Sequence, residues 1–415
     1  MIHFNRTILD NGLTVICNTD KSTPFVSVNI LYKVGARNEQ EDKTGFAHLF
    51  EHLMFGGSEH IEDYDRHVQL AGGDSNAYTT NDLTNYYITI PAANLETAFW
   101  LESDRMAGLN FSQRSLDVQK QVVTEEFKQR YLNNPYGDIW LKLRPLAYQV
   151  HPYRWATIGV SPEHIERATL NDVKSFFHRF YAPDNAILAI SGNIEEKQAL
   201  ALVKKWFDDI APAGLIPAPI PVEPQQAEER RLIVPDNNVP ADAIYKVFHM
   251  GGRKSDNFYA CDIISDILSN GQSSRLYVNL IKNSRLFSGI DAYVSGDVDP
   301  GLFIFSGKLS EGTDIQQAEA AIDEEIHKFI RDQISEHEVQ KVINKTEARI
   351  AYSEINYQSK ASNLAFFEFL GDINLINTET ECYQQIDTNK IKETAQAIFS
   401  PSNCSTLCYL KKSNL

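Results

Sequence analysis

The sequence has little cysteine, no long apolar run and fewer basic than acidic residues, and each shortage excludes a class of protein. Only 5 cysteines occur in 415 residues, an odd number at wide spacing, which excludes a disulfide-stapled scaffold. No stretch of about 18 apolar residues is present, so we expect neither a transmembrane helix nor a membrane partner. Lys and Arg number 39 against 55 Asp and Glu, and the net charge of −16 is the wrong sign for a nucleic-acid partner.

The beginning of the sequence, MIHFNRTILDNG, lacks the apolar core of an export signal. A cytoplasmic location is therefore expected, and a periplasmic one if an export segment has been removed. Hydrophobic residues make up 43% and charged residues 23%, which is typical of a globular protein with a sizeable core. The length predicts two or three domains.

Proline is concentrated in one place, PAGLIPAPIPVEP at 212–224. Proline fixes φ and removes backbone donors, so this density favours an extended linker between two parts of similar size. We predict an N-terminal domain at 1–211, a Pro-rich linker at 212–228, and a C-terminal domain at 229–415.

The two halves look like diverged copies of one unit. GAR at 35–37 recurs as GGR at 251–253, and Pro24 and Pro240 stand at the same offset, although any single short match also arises by chance. Both halves mix segments of β-type alternation with amphipathic helices. The pattern predicts an α+β fold of two duplicated domains, each a mainly antiparallel β-sheet packed with helices and joined by the Pro-rich linker.

The strongest local signal is HLFEH at 48–52, inside a predicted helix at 44–55. On a helix, His48 and His52 share a face one turn apart, and two imidazoles at this spacing bind one Zn²⁺. Glu51 stands beside them and is placed to accept a proton from a zinc-bound water, which is the inverted form of the HExxH motif. The alternative is a helix with two unrelated histidines and a solvated Glu51.

The segments GFAHLFEHLMFGG, GGDSNAYTTNDLTNYYITIP and VVTEEFKQR resemble the pitrilysin/insulinase/mitochondrial-processing-peptidase family of zinc metallopeptidases, above all its short bacterial members. The resemblance extends over essentially the whole chain, including the duplication. It implies one Zn²⁺ per chain, bound by His48, His52 and Glu126, with Glu51 as the catalytic base. Glu125 competes for the third ligand position, but its register puts the neighbouring valine pair out of phase with the family.

The resemblance also assigns residues around the metal. Where the family has a second glutamate on the ligand helix, this chain has Gln119, which is implied to orient the ligands by hydrogen bonding without carrying charge. Substrate is implied to add as an extra strand at 72–79, with Asn76 and Ala77 in contact with it. The alternative for that segment is a polar turn before a strand.

The second half lacks the metal motif. At the offset of the repeat, its residues are Ile264, Ile267 and Leu268. A separate match, VQKQVVTEE at 118–126 with VQKVINKTE at 339–347, puts Glu347 opposite Glu126. The predicted domain at 1–211 is therefore the zinc-binding catalytic one, and the one at 229–415 is a homologous domain without a metal site. The family's second half normally brings an Arg and a Tyr to the substrate, and this chain has other residue types at the two aligned positions. These positions are Ile281 and Ser288, and the nearby residues out of register are Arg275, Tyr277 and Tyr293.

These observations predict a zinc metalloendopeptidase that hydrolyses unfolded or short polypeptides. The missing Arg/Tyr pair favours a two-subunit clamshell, either a homodimer or a heterodimer in which a sister subunit supplies the pair. One alternative is a non-catalytic assembly or scaffold subunit of a peptidase-like complex, although the complete HxxEH motif argues against it. The other is a zinc hydrolase of non-peptide substrates.

Overall fold

The computed structural model describes residues 1–214 and 216–412, so Leu215 of the predicted linker and residues 413–415 of the predicted C-terminal domain lie outside the described residues. The strands in these ranges are β1 Asn5–Ile8, β2 Thr14–Thr19, β3 Phe25–Tyr32, β4 Asp74–Thr79, β5 Thr84–Pro91, β6 Ala186–Gly192, β7 Arg230–Asp236, β8 Ala243–His249, β9 Phe287–Val294, β10 Leu302–Leu309 and β11 Cys404–Lys411.

Helices outnumber strands in the same ranges. They are α1 Phe46–Leu53, α2 Tyr64–Leu70, α3 Leu95–Ala107, α4 Gln113–Phe127, α5 Ile139–Ala147, α6 Pro162–Glu166, α7 Leu170–Phe180, α8 Glu196–Phe207, α9 Phe258–Ser269, α10 Ile315–Arg331, α11 Glu336–Ser353, α12 Tyr357–Leu370, α13 Leu375–Gln384 and α14 Thr388–Ile398. Within the part of the chain that the structure describes, no helix is both long and apolar enough to cross a membrane.

The chain forms two compact units, each assembled from three segments. The first unit contains Met1–Gln129, Trp155–Pro221 and Ala351–Thr378, and the second contains Arg130–Arg154, Val222–Ile350 and Glu379–Leu415. Each unit therefore includes one segment from the other half of the sequence. The boundaries 1–211, 212–228 and 229–415 stay a prediction of where the two repeated halves meet.

The exchanged segments cover sheet surface in the unit that they join. In the first unit, α12 packs on β3 and β6, and in the second unit α5 packs on β11 and β7. Central strands such as β3, FVSVNILY, are apolar almost throughout and nearly all buried, so both of their faces need a cover. Without these helices, each sheet would leave apolar side chains in water.

The two sheets share one topology. The strand order is β1-β2-β6-β3-β5-β4 in the first unit and β7-β11-β8-β10-β9 in the second. Neighbours are antiparallel except for β2 with β6 and β7 with β11, which occupy equivalent places. The predicted fold class, two duplicated α+β domains with mainly antiparallel sheets, is confirmed.

Candidate metal centre

Helix α1, FAHLFEHL, is amphipathic, and its apolar face is fixed in the core. Its buried residues are Phe46, Ala47, Leu49, Phe50 and Leu53. The Phe50 ring stacks on Phe176 and Tyr181, with both pairs of ring centroids 5.0 Å apart. The other face carries the three motif residues, which therefore point together away from the core.

A buried carboxylate holds the beginning of α1. Glu39 accepts hydrogen bonds from the backbone N–H groups of Gly45 and Ala47 at 2.9 and 2.8 Å. Burial raises the pKa of Glu39 to about 8, although the backbone donors oppose that rise. Gly45 has φ +89°, and a Cβ there would lie 2.6 Å from the Ile158 carbonyl oxygen, so no side chain at Gly45 itself can cap the helix. Glu39 could not be predicted from the sequence, because it lies outside the helix and its role appears only when the loop closes.

Helix α4 supplies the third candidate ligand by packing against α1. Glu126 Oε2 lies 3.3 Å from His52 Nε2 and 3.7 Å from His48 Nε2. One ligand atom from each of the three residues lies within 4.8 Å of the others, and all three residues are partly buried. In a tetrahedral zinc site with bonds of about 2.0–2.1 Å, donor atoms lie about 3.4 Å apart, so this set fits Zn²⁺ and leaves the fourth position open.

The competing ligand, Glu125, points elsewhere. Its side chain is 61% exposed and forms an ion pair with Lys128 at 2.7 Å. Successive residues on a helix are about 100° apart, so only one of the two glutamates can face α1. The geometry favours Glu126.

Gln119 lies on the same helix but does not contact the cluster. Its Nε2 is 3.7 Å from where a Cβ on Gly56 would stand, at the end of α1. Within residues 1–214 and 216–412 its side chain makes no hydrogen bond to the three ligands or to Glu51. Its predicted orienting role stays a prediction.

Glu51 is held by a residue that the sequence analysis did not single out. Thr79, the last residue of β4, donates a hydrogen bond from Oγ1 to Glu51 Oε2 at 2.6 Å. The contact fixes the carboxylate beside the two histidines and ties α1 to β4. In the sequence, Thr79 was only one more residue of the polar segment NAYT.

Strand β4 is the last strand of its sheet, as the family resemblance implies for this segment. Asn76 is exposed, and Ala77 is half-buried. The Ala77 N–H donates to Asn76 Oδ1 at 2.8 Å, so a side chain satisfies this edge-strand amide. An incoming peptide strand that used this amide would have to displace Asn76.

The second unit has a different helix in the equivalent place. On α9, the counterparts of the motif residues, Ile264, Ile267 and Leu268, are buried in the apolar core. Glu347 accepts a hydrogen bond from Gln384 Nε2 at 2.6 Å. Among the described residues, the only group of three metal-ligating side chains close enough to hold an ion is the one in the first unit.

The residues at and near the two positions where the family has Arg and Tyr have different surroundings. Some pack in the core, one forms an ion pair, and one lies on the surface. Ile281 packs against the core of the second unit, and Ser288 Oγ donates to the Lys308 carbonyl. Arg275 binds Glu338 through two hydrogen bonds of 2.9 Å. Tyr277 begins a π-helical turn, and Tyr293 is 39% exposed on β9.

The fold and the cluster together define a class of protein, a duplicated α+β chain with a two-histidine, one-glutamate centre in one repeat. Two family models match it, insulinase (peptidase family M16) over residues 14–138 and peptidase M16 inactive domain over residues 167–346. The chain belongs to the insulinase family, peptidase family M16. The predicted family is confirmed.

Relatives agree with this assignment. Zinc protease PqqE of Helicobacter pylori is 31% identical over 339 residues, which cover 80% of this chain and 76% of the relative. The crystal structure of a protease from Helicobacter pylori has a TM-score of 0.92 and 27% identity, with 99% of this chain and 100% of that chain covered. A peptidase M16 inactive domain from Pseudomonas fluorescens, with a TM-score of 0.87 and 16% identity over 99% of this chain and 98% of that chain, shares the fold.

Proposed function

We propose that this chain is a zinc-dependent metalloendopeptidase that hydrolyses peptide bonds in unfolded or short polypeptides. The observation that carries the proposal is the convergence of His48, His52 and Glu126, with Glu51 held beside them by Thr79. The name zinc protease given to relatives of this chain supports it.

Each residue has a distinct part in the proposed reaction. His48, His52 and Glu126 hold the zinc, which requires neutral imidazoles and an ionised carboxylate, so activity falls in acid. When bound, zinc supplies Lewis acidity, which polarises the scissile carbonyl and lowers the pKa of water. Glu51 takes the proton from the attacking water and passes it to the leaving amine.

Strand β4 provides the proposed substrate platform. Its outer edge carries Asn76 and Ala77, and its last residue, Thr79, bonds to the proposed base. A peptide that adds to this edge is held by backbone hydrogen bonds, which tolerate many side chains. The same strand then positions both the substrate and Glu51.

The second candidate function is that of a non-catalytic subunit, and the match of residues 167–346 to a domain described as inactive favours it. That match begins after the proposed metal residues, and the second unit carries apolar residues in their place. We therefore assign the lost activity to the second repeat and the retained activity to the first.

The test compares the zinc-loaded chain with its Glu51→Gln variant on an unstructured, internally quenched fluorescent peptide. The unchanged chain, as a dimer or with its sister subunit added, should cleave the peptide in a chelator-sensitive way. The variant should keep one zinc per chain, because no ligand is changed, and lose about 10²–10⁴ in rate. Turnover that survives in the variant would exclude Glu51 as the base.

The same assay addresses the proposed partner. We propose a two-subunit arrangement because Ile281 and Ser288 stand in place of the family's Arg and Tyr, and Arg275 is held by Glu338. The assay, run beside analytical ultracentrifugation, should show cleavage only with a dimer or with added sister subunit. Full activity of a monomer would contradict this part of the proposal.

A further inference from the structure

A pocket of about 320 Å³ opens in the first unit between helix α7 and the loop that leads into α1. Its volume lies at the lower end of the range for small-molecule sites, so it suits a ligand built around one ring. Side chains from the loop, from the first turn of α1 and from one face of α7 line the pocket. The lining has an apolar part and a polar part.

Three phenylalanines form the apolar part of the lining. Phe46 and Phe180 are buried, and Phe176 is half-buried. The Phe176 ring centroid lies 5.9 Å from that of Phe46 and 4.8 Å from that of Phe180. A planar ring that packs on Phe176 would therefore extend an aromatic cluster that already exists.

The charged groups of the lining are Lys43, Asp172 and Arg179. Lys43 Nζ donates to Asp172 Oδ1 at 2.7 Å, and Thr169 Oγ1 donates to Asp172 Oδ2 at 2.6 Å. The hydrogen bond from Lys43 lowers the pKa of Asp172 to about 2, so the carboxylate stays ionised and both of its oxygens are occupied. Lys43 and Asp172 neutralise each other, and one positive charge remains at Arg179.

Among the residues that the structure describes, Arg179 is the one charged group of this lining that makes neither a hydrogen bond nor an ion pair. Its guanidinium carbon lies 4.9 Å from the Phe180 ring centroid, at the edge of the apolar part. Ser175, four residues earlier on the same face of α7, adds a hydroxyl donor. Asn38 Oδ1 accepts from the Gly35 N–H at 3.0 Å, which turns the amide donor of Asn38 to other use. This combination suits a carboxylate attached to an aromatic ring.

The pocket lies behind α1, away from the candidate metal centre. Phe46 is the first residue of α1, and the Phe176 ring stacks on Phe50 with centroids 5.0 Å apart. Both phenylalanines of α1 belong to its apolar face, whereas His48 and His52 lie on the opposite face. A ligand in this pocket therefore leaves the metal-binding face open.

We propose that this pocket binds a small aromatic monocarboxylate, with the ring on Phe176 and the carboxylate on Arg179. One guanidinium matches one carboxylate in a bidentate pair, whereas a dianion would add a second negative charge to a lining that includes Asp172. A ligand with an ammonium group would meet a carboxylate that already accepts hydrogen bonds from Lys43 and Thr169. The inference does not depend on the proposed peptidase.

The test follows three probes by fluorine NMR line broadening on the full chain, both zinc-loaded and chelated. The probes are para-fluorophenylacetate, para-fluorophenylacetamide and para-fluorophenethylamine, which share a ring and differ in charge. The carboxylate should bind about tenfold more tightly than the amide, and the amine no more tightly than the amide. The preference should be the same with and without zinc, because the pocket lies on the other side of α1.

The variant Arg179→Gln should remove the preference for the carboxylate and leave the affinity for the amide unchanged. Lys174→Gln is the matched control, because Lys174 is another exposed cation on α7 and lies outside the lining. It should alter the binding of none of the three probes. Ser175→Trp should weaken binding of the carboxylate about tenfold, because it fills the pocket from the exposed side of α7 and leaves the buried rings in place.

Equal affinities of the carboxylate and the amide for the unchanged chain would overturn the proposal, because a surface depression without a binding role treats the two alike. A preference that survives Arg179→Gln, or binding that survives Ser175→Trp, would do the same in a protein with an unchanged melting midpoint. A preference confined to the zinc-loaded chain would place the carboxylate on the metal and also overturn the proposal. None of these results bears on peptide cleavage, which the Glu51→Gln assay decides separately.

Discussion

Helices α1 and α9 occupy the same place in two sheets of the same topology, and only α1 carries the two histidines of the candidate metal centre. Both helices follow a central strand of their sheet, β3 in one unit and β8 in the other. The positions of the three motif residues on α1 are occupied on α9 by aliphatic residues that are 0–2% exposed. The second repeat therefore has a helix in the same place without the candidate metal ligands, because apolar side chains at those three positions pack into the core instead.

The supports at the beginning of the two helices differ as well. Glu39 binds the first amides of α1, whereas its counterpart at the repeat offset, Ser255, donates to the Gly252 carbonyl. The N-cap residue of α9, Asn257, makes no side-chain cap hydrogen bond. A carboxyl oxygen that accepts from the first amides of a helix fixes the helix end more firmly than water does. The more firmly held helix is the one that carries His48, His52 and the proposed base Glu51.

The largest effect, on zinc content and cleavage, is expected when the two histidines of α1 are replaced by the residue types at the equivalent positions of α9. Replacing His48 with Ile and His52 with Leu removes two of the three donors. The zinc content measured after dialysis should fall from one ion per chain to none, and peptide cleavage should disappear.

The matched control for that variant removes two histidines that are exposed on the second unit, His327→Ala with His337→Ala. It should keep the full zinc content and the full rate of cleavage. Zinc that stays at one per chain in the α1 variant would show that the ion binds elsewhere.

The next largest effect concerns the buried acid–base pairs of α3 and α10, which follow equivalent strands. Glu102 and Arg105 are each 1% exposed, with Arg105 packed over the Tyr86 ring at 4.3 Å. On α10 the buried Glu325 forms an ion pair with Lys328, three residues later, and the Lys328 side chain is 39% exposed. Arg105→Ala leaves a buried charge without its partner and should lower the free energy of unfolding by about 3–5 kcal/mol.

The counterpart variant, Lys328→Ala, should cost less than about 1 kcal/mol because water reaches that charge. Urea denaturation of both variants gives the comparison directly. Equal losses would mean that burial of the cation does not decide the strength of these pairs.

Features of the site that depend on residues close together in the sequence could be predicted, and features that depend on distant segments could not. His48, Glu51 and His52 are set by one turn of helix, so their spacing alone predicts a shared face. Glu126 lies on a second helix, and only the family resemblance placed it beside them. Glu39, Thr79 and the Glu338 partner of Arg275 could not be predicted, because each contact joins segments that meet only after folding. The exchange of α5 and α12 between the units was missed for the same reason.

A smaller effect should appear in the pH dependence of stability. The folded-state pKa of Glu39, about 8, lies above its ordinary value of 4.5, so the fold favours the protonated acid. The stability that this preference contributes is present in full below pH 4.5 and is lost as the pH rises through 8. Glu39→Gln lacks this titration, so between pH 5 and 8 it should lose less stability than the unchanged chain, by on the order of 2–3 kcal/mol.

Melting curves of the chelated protein measure this slope without a contribution from zinc. Ser255→Ala, at the counterpart position in the second unit, should leave the pH dependence as it is. Parallel curves for the unchanged chain and Glu39→Gln would show that Glu39 stays ionised in the fold throughout this range.

The smallest effect is expected from removing the hydrogen bond that Thr79 of β4 donates to the proposed base Glu51 on α1, a contact without a counterpart at the aliphatic position on α9. Thr79→Val keeps the shape of the side chain and removes its hydroxyl, so Glu51 loses a donor worth about 1.5 kcal/mol and the orientation that the donor imposes. We expect kcat for peptide cleavage to fall about tenfold, with KM and zinc content unchanged, and Thr79→Ser to restore most of the rate. A rise in KM, a fall in zinc content, or a Ser variant as slow as the Val variant would instead assign Thr79 to the packing of the strand.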